Sequence, residues 1–174
     1  MAYAFLRAQG KDVGRSKCDD QEVRLASKIL KSAHARKLKI VLPIDHVTSL
    51  FFQDTKNILT TEGEEIPADR MGLDIGPKTV ELFKKCLKGA KTVFWNGPMG
   101  VFEEPAFSKG TFGVADAVGL CSAQKIVGGG DVVAAIRAMG CESRFDFMST
   151  GGGATLEYLE GKDLPGLKVL ELFS

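Results

Sequence analysis

The 174-residue sequence predicts an α/β fold, a parallel sheet covered by helices on both faces, and three observations carry that prediction. Short apolar runs (Lys39–Leu42, Thr92–Trp95, Ile126–Val127 and Phe145–Met148) alternate with segments whose apolar residues recur at helical spacing. Strands buried on both faces read as continuous apolar runs, as these do. Glycine is abundant at 20 residues, above a background of about 7%, and the excess sits where strands pass into helices. Those turns are Asn96–Gly100 (NGPMG), Gly128–Asp131 (GGGD) and Ser149–Gly153 (STGGG). In a parallel sheet such turns share the C-terminal edge, where ligands bind.

Size and charge narrow the function. The chain fits one domain, residues 1–174, with a real core. A formal net charge of +1 argues against a dedicated nucleic-acid or membrane surface. No apolar run approaches the ~20 residues of a membrane span. The opening MAYAFLRAQG is too short and polar for a secretory signal. Cys18, Cys86, Cys121 and Cys141 are widely spaced, without a C-x-x-C. They read as reduced thiols of a cytoplasmic protein, not a zinc site or a disulfide frame.

In chain order, Met1–Ala8 reads as a helix with no lead-in cap, as if the chain had been cut from something longer, and Gly10–Asp20 as polar turn. Gln21–Lys37 is an amphipathic helix burying Val23, Ala26, Ile29, Leu30 and Ala33, with His34 at its C-terminal end. Lys39–Leu42 reads as a buried strand stopped by Pro43. Asp45 and His46 form an acid–base pair on paper, but adjacent residues rarely face one target, and a structural or loop role fits them better. Thr48–Asp69 is hard to read, either a strand pair or a loop excursion. Asp74 offers a cap for a helix from Pro77 to Gly89 whose buried stripe is Val80, Phe83 and Leu87. Beyond the strand at Thr92–Trp95, Pro105–Leu120 turns Phe107, Val114 and Val118 inward. A last helix spans Ala154–Glu160, and Leu164–Gly166 leads into a short tail.

The GGGD turn carries the clearest chemistry. A strand, bare glycines and a helix start present main-chain N–H groups and partial positive charge to an anion. Asp131 would repel a phosphate unless Mg²⁺ bridged the two, and its plainer reading is a helix N-cap. Three such turns on one edge point to a phosphorylated ligand; the alternative is ordinary turn chemistry. Neither G-x-x-x-x-G-K-[ST] nor G-x-G-x-x-G is present. Glu103 reads as an acceptor for ribose hydroxyls or as an exposed carboxylate near a helix start. Cations are scarce, with only Lys109 and Lys125 near these loops, and Lys125 begins a strand and points away. A nucleotide floor is legible, but too little positive charge to drive phosphoryl transfer.

Several blocks together resemble the phosphoglycerate kinase family: Trp95–Glu103 (WNGPMGVFE) with Phe107 and Lys109–Thr111, Pro67–Pro77 (PADRMGLDIGP), Gly128–Asp131, Ser149–Ala154 (STGGGA) and Leu156–Gly166 (LEYLEGKDLPG). They fall in that family's order and spacing and cover essentially the whole chain, which resembles most of the family's C-terminal, nucleotide-binding domain. The resemblance implies a three-layer α/β/α Rossmann-like domain and reversible, Mg-dependent phosphoryl transfer from ATP between 3-phosphoglycerate and 1,3-bisphosphoglycerate. It implies that Gly72 and Leu73 line the adenine and ribose pocket, that Asn96, Pro98 and Val101 flank the nucleotide, and that Glu103 holds the ribose. Gly129, Gly130, Asp131 and Val132 would meet the phosphates of ATP or ADP, with Asp131 on the Mg²⁺. Thr150, Gly151 and Gly152 would offer a helix N-terminus to the phosphoryl group in transfer.

One departure lies within these blocks: Val132 stands where many members carry Thr or Ser, so a hydroxyl contact is lost and the backbone N–H kept. Others lie upstream, where the family has a glycine-rich turn beside the adenine, a phosphate-binding lysine and an N-terminal domain with the 3-phosphoglycerate site. The expectations are therefore a chain inactive alone that binds Mg·ADP weakly at best. An intact member would be a monomer, while this chain would self-associate or have lost its remainder. Its substrates are small molecules, with no nucleic acid and no membrane. The rival expectation is a non-catalytic binding or interaction module.

Overall fold

The computed structural model describes residues 1–166 and 168. It divides into two compact units, one of Met1–Cys86 with Met99–Val114, the other of Leu87–Pro98 with the chain from Ala115 onward. The tail expected after Gly166 falls, Lys168 aside, outside the described residues.

The first unit opens with α1 (Ala2–Ala8) and α2 (Asp20–Ala35). A capping box starts α2: the Asp19 carboxylate accepts from the Glu22 amide at 2.8 Å and Glu22 Oε2 from the Asp19 amide at 2.9 Å. Ala26 and Ala33 of α2 are buried, as are Ala4 and Leu6 of α1, and the two helices pack on each other. Seven residues of α1 cannot cover sixteen of α2. Of the predicted stripe, Val23 and Leu30 are half-buried and Ile29 stays 40% exposed.

Lys39–Leu42 is not a strand. It has no ladder neighbour among the described residues, and Ile40 is 37% exposed. An apolar run becomes a strand only where another backbone takes up its N–H and C=O groups. The ladder begins instead beyond Pro43, at β1 (His46–Ser49), which lies between β2 (Leu59–Thr60) and β3 (Met71–Ile75) in an antiparallel sheet of order β2-β1-β3. The strand-pair reading of Thr48–Asp69 is thus half right, since β2 lies there but pairs with a strand begun earlier. β1 hides its nature because Thr48 and Ser49 are buried polar residues satisfied locally: Thr48 Oγ1 donates to the Leu59 carbonyl at 2.9 Å and Ser49 Oγ to that of Asp54.

The helix α3 (Pro77–Leu87) is capped from a distance. The buried Asp45 carboxylate accepts from the Lys78 amide at 2.9 Å, the Thr79 amide at 2.8 Å and Thr79 Oγ1 at 2.6 Å. The cap expected of Asp74 therefore belongs to Asp45, and a Cβ on Gly76 would lie 2.2 Å from the Asp45 carboxyl carbon. His46 is fully buried, with Nε2 3.1 Å from the Glu64 carbonyl, and burial holds its pKa below the usual histidine range. Both residues serve the framework, the structural role expected of the pair, though His46 lies in a strand and not in a loop.

The second unit is a parallel sheet of order β4-β5-β6: β4 (Thr92–Asn96), β5 (Gln124–Gly128) and β6 (Phe147–Ser149). Helix α4 (Lys109–Leu120) ends in this unit, and α5 (Gly130–Ala138) and α6 (Gly152–Leu159) follow β5 and β6. Phe107, Val114 and Val118 are buried as predicted. On one side of the sheet Trp95 and Val127 join Val132, Val133 and Ile136 in the core. On the other side Phe94, Ile126 and Phe147 stand in register, and Phe94 is 36% and Phe147 61% exposed. That face is only partly covered, where both faces were expected to be sealed. Among the described residues no helix is long and apolar enough to cross a membrane.

Candidate functional site

The three glycine turns meet. Parallel register places Asn96 opposite Gly128, and Gly128 opposite Ser149, so the ends of β4, β5 and β6 form one row. The Gly129 amide donates to the Ser149 carbonyl at 2.8 Å, tying the second corner to the third. A Cβ on Gly152 would lie 2.8 Å from the Gly129 Cα and 3.6 Å from Asn96 Nδ2. Only a bare backbone lets the three corners come this close. The first corner is held by Trp95, whose Nε1–H donates to the Gly97 carbonyl at 2.9 Å.

Helix α5 starts at this rim. Its N-cap is Gly129, at φ 114° and ψ 135°, a conformation that L side chains rarely adopt, and no side chain caps it. The cap reading of Asp131 is thereby overturned: Asp131 lies in the first turn, exposed, because the glycine corner makes the turn unaided. The first-turn amides of Gly130, Asp131 and Val132 have no intrahelical acceptor. The Val132 side chain is fully buried, so an apolar residue here serves the core.

The third corner is partly self-satisfied. Gly151 sits at φ −81° and ψ 60°, an inverse γ-turn, with the Gly152 amide on the Thr150 carbonyl at 3.0 Å. The Gly151 amide donates to Ser149 Oγ at 3.1 Å. Of the predicted trio, Thr150 is exposed at the rim, while the Gly151 and Gly152 amides are engaged within the turn. Gly153 and Ala154, next in the first turn of α6, have no intrahelical acceptor for their N–H groups.

Charge at the rim is sparse. Lys125 Nζ turns back to the Cys121 carbonyl at 3.4 Å and the Asp146 carboxylate at 3.8 Å, as expected of the residue that opens the strand away from the site. Arg144 pairs with Asp116 at 2.8 Å, and Arg137 lies in the last turn of α5, the end opposite the rim. Among the described residues no three His, Cys, Asp or Glu side chains cluster as a metal site. Asp131 alone would give a cation one protein carboxylate. That fits Mg²⁺, which keeps water and phosphate oxygens for most of its shell.

Gly72, Leu73, Val101 and Glu103 belong to the first unit, whereas Asn96, Pro98, Gly129–Val132 and Thr150–Gly152 belong to the second. Within the first unit, the Val101 amide donates to the Leu73 carbonyl at 2.9 Å, which brings the segment carrying Glu103 to the strand carrying Gly72. Gly72 faces Tyr3 of α1, whose hydroxyl would lie 2.2 Å from an added Cβ. Burial, with the Asp74 charge second, raises the pKa of that hydroxyl, so it stays protonated. Glu103 is exposed.

Two residues beneath this segment escaped the sequence reading. Asp74, 1% exposed, accepts from the Gly110 amide at 2.6 Å and from the Ile75 amide at 2.9 Å. Burial pushes its carboxyl up to about 7, against the pull of those two amides. Thr111 Oγ1, fully buried, accepts from the Met99 amide at 3.0 Å and the Gly100 amide at 3.2 Å. The available signal was the Lys109–Gly110–Thr111 block, noted only as part of a likeness.

Comparison with known proteins agrees with the motifs. The family model described as phosphoglycerate kinase matches residues 1–162. Among curated relatives, the phosphoglycerate kinase of Lactobacillus delbrueckii subsp. lactis is 54% identical over 170 residues, 96% of this chain and 41% of its own length. That of Anaeromyxobacter dehalogenans is 48% identical over 171 residues, 98% of this chain and 43% of its own. The solved phosphoglycerate kinase of Coxiella burnetii superposes with a TM-score of 0.89 at 36% identity, covering 97% of this chain and 44% of that one. The chain therefore spans somewhat over two-fifths of the length of the relatives it matches.

Proposed function

The chain belongs to the phosphoglycerate kinase family, and from that membership we propose that it carries the nucleotide half of reversible phosphoryl transfer between 3-phosphoglycerate and 1,3-bisphosphoglycerate, a cytoplasmic step of glycolysis, binding the Mg²⁺ complex of ADP or ATP. The observation that carries the proposal is the meeting of the three glycine corners on one row of strand ends. Backbone amides in a row suit the spread charge of a polyphosphate better than one side chain does. The amides of Gly129–Val132 would hold the phosphates and the α6 N-terminus would face the group in transfer. Asn96, Pro98 and Val101 would flank the nucleotide, while Gly72 and Leu73 would line the adenine and ribose pocket, with Glu103 accepting from ribose hydroxyls.

Asp131 would hold Mg²⁺ through its exposed carboxylate. When bound, Mg²⁺ supplies charge neutralisation across the phosphate oxygens, which phosphoryl transfer requires. Three cations of the second unit do little of this: Lys125 and Arg144 are paired elsewhere, and Arg137 sits at the far end of its helix. Nucleotide binding without turnover is the expected behaviour of the purified chain. Calorimetry checks both parts of the proposal. Mg·ADP should bind the wild-type chain weakly, and Asp131→Ala should abolish the Mg-dependent part. Steady ATP formation from 1,3-bisphosphoglycerate by the chain alone contradicts the inactive reading.

A second reading, a non-catalytic module whose glycine corners are turns only, draws on the internally satisfied Gly151 and Gly152 amides. It expects Asp131→Ala to change nothing in any nucleotide titration.

A further inference from the structure

We propose that Asp74 is a positioning residue: its carboxylate clamps the Met99–Glu103 segment and the start of α4 against β3, and its ionisation sets how well that segment receives a nucleotide. This rests on the nucleotide reading above, and it concerns a residue that reading leaves unused.

The geometry is specific. Asp74 Oδ2 takes the Gly110 amide, in the first turn of α4, at 2.6 Å, and Oδ1 takes the Ile75 amide at 2.9 Å. This carboxylate leaves no room for a side chain at two glycines. A Cβ on Gly110 would lie 2.2 Å from Asp74 Oδ1, and one on Gly100 2.4 Å from the same atom. The Val101 amide on the Leu73 carbonyl and Thr111 Oγ1 beneath the Met99 and Gly100 amides complete the clamp. Asp74 thus holds the α4 start, which carries Thr111, beside β3, whose Leu73 carbonyl takes the Val101 amide, and among the described residues no cation bonds to it.

An ionised carboxylate makes charge-assisted bonds to amides and complements the helix start, but burial outweighs both here, so the clamped geometry favours the protonated acid over the ionised one. The acid is buried enough to exchange its proton near pH 7. Its neighbours leave that exchange to Asp74 itself. Tyr3 on α1 stays protonated, and Asp45 and His46 on the β1 side are engaged with α3 and the Glu64 carbonyl. Lys109 at the α4 start is exposed. The sign follows: the clamped state holds the proton more tightly than an open, solvated Asp74 would, so as pH rises through about 7 the clamp loosens and nucleotide affinity drops, and as pH falls it tightens.

The experiment uses the full chain, isotope-labelled. In the wild type the Gly110, Gly100 and Val101 amide resonances should titrate together with a midpoint of about 7. In Asp74→Asn they should be flat. Measured relative to Asp74→Asn, which corrects for protonation of ADP itself, Mg·ADP affinity of the wild type should fall at least ~3-fold between about pH 6 and about pH 8. Flat amides in the wild type, or parallel pH profiles of affinity in the two proteins, overturn the proposal. If ADP binds at no pH the nucleotide reading fails, and the amides still decide the clamp. If Asp74→Asn does not fold, the wild-type amides and the wild-type affinity must share one midpoint; separate midpoints overturn the coupling.

Discussion

Gly152 shows how much rests on single atoms. Its missing side chain leaves room for the Gly129 backbone, and an added Cβ would come within 2.8 Å of the Gly129 Cα. Neither side of that contact can swing away, because both are main chain. Gly152→Ala should therefore part the second and third corners, cost about 1–3 kcal/mol of stability and weaken Mg·ADP binding about tenfold or more. Urea unfolding and calorimetry on the same sample measure both losses; unchanged values in both would mean that the corners need no close approach. Gly153, in the same run of three glycines, has nothing within reach of an added Cβ, so Gly153→Ala serves as the control. The sequence shows three identical letters, and only coordinates tell which one is in contact.

At the level of elements, helix starts divide into local and remote. The α2 start is written in the chain, with Asp19 and Glu22 at capping-box spacing. Asp19→Ala should lower unfolding stability by about 1 kcal/mol, seen as a shifted urea midpoint at unchanged slope; no shift would mean that the exposed box contributes nothing. The α3 and α4 starts are written elsewhere, in Asp45 and Asp74, which are far from them along the chain. A local reading assigns Asp74 to the nearest helix and misses both. Strands divide in the same way. β4 and β5 are apolar runs that also find neighbours, and they were legible. Lys39–Leu42 is an equally apolar run without a ladder neighbour among the described residues, while β1 pairs on both edges with little apolar content to announce it.

For the molecule as a whole, the legible part was the repeat of strand, glycine turn and helix that puts three corners on one row. The less legible part was the antiparallel sheet of the first unit, because its strands are short and its buried polar residues are satisfied by backbone partners that spacing cannot reveal. That the sheet would leave an apolar patch open followed from the incompleteness the motifs implied, but which residues form it, Phe94 and Phe147, was out of reach, since periodicity says which residues are apolar and nothing of what covers them. Family membership and the meeting of the corners point the same way: one comes from comparing sequences, the other from strand register.

The most direct test is an amide-resolved titration of the isotope-labelled chain with Mg·ADP, repeated after chelation of the metal. The result expected is a set of metal-dependent shifts concentrated on Gly97, Gly129–Val132 and Gly153–Ala154. Binding that leaves those amides unmoved, or that moves them equally without Mg²⁺, would contradict a phosphate cradle built from three glycine corners and one aspartate.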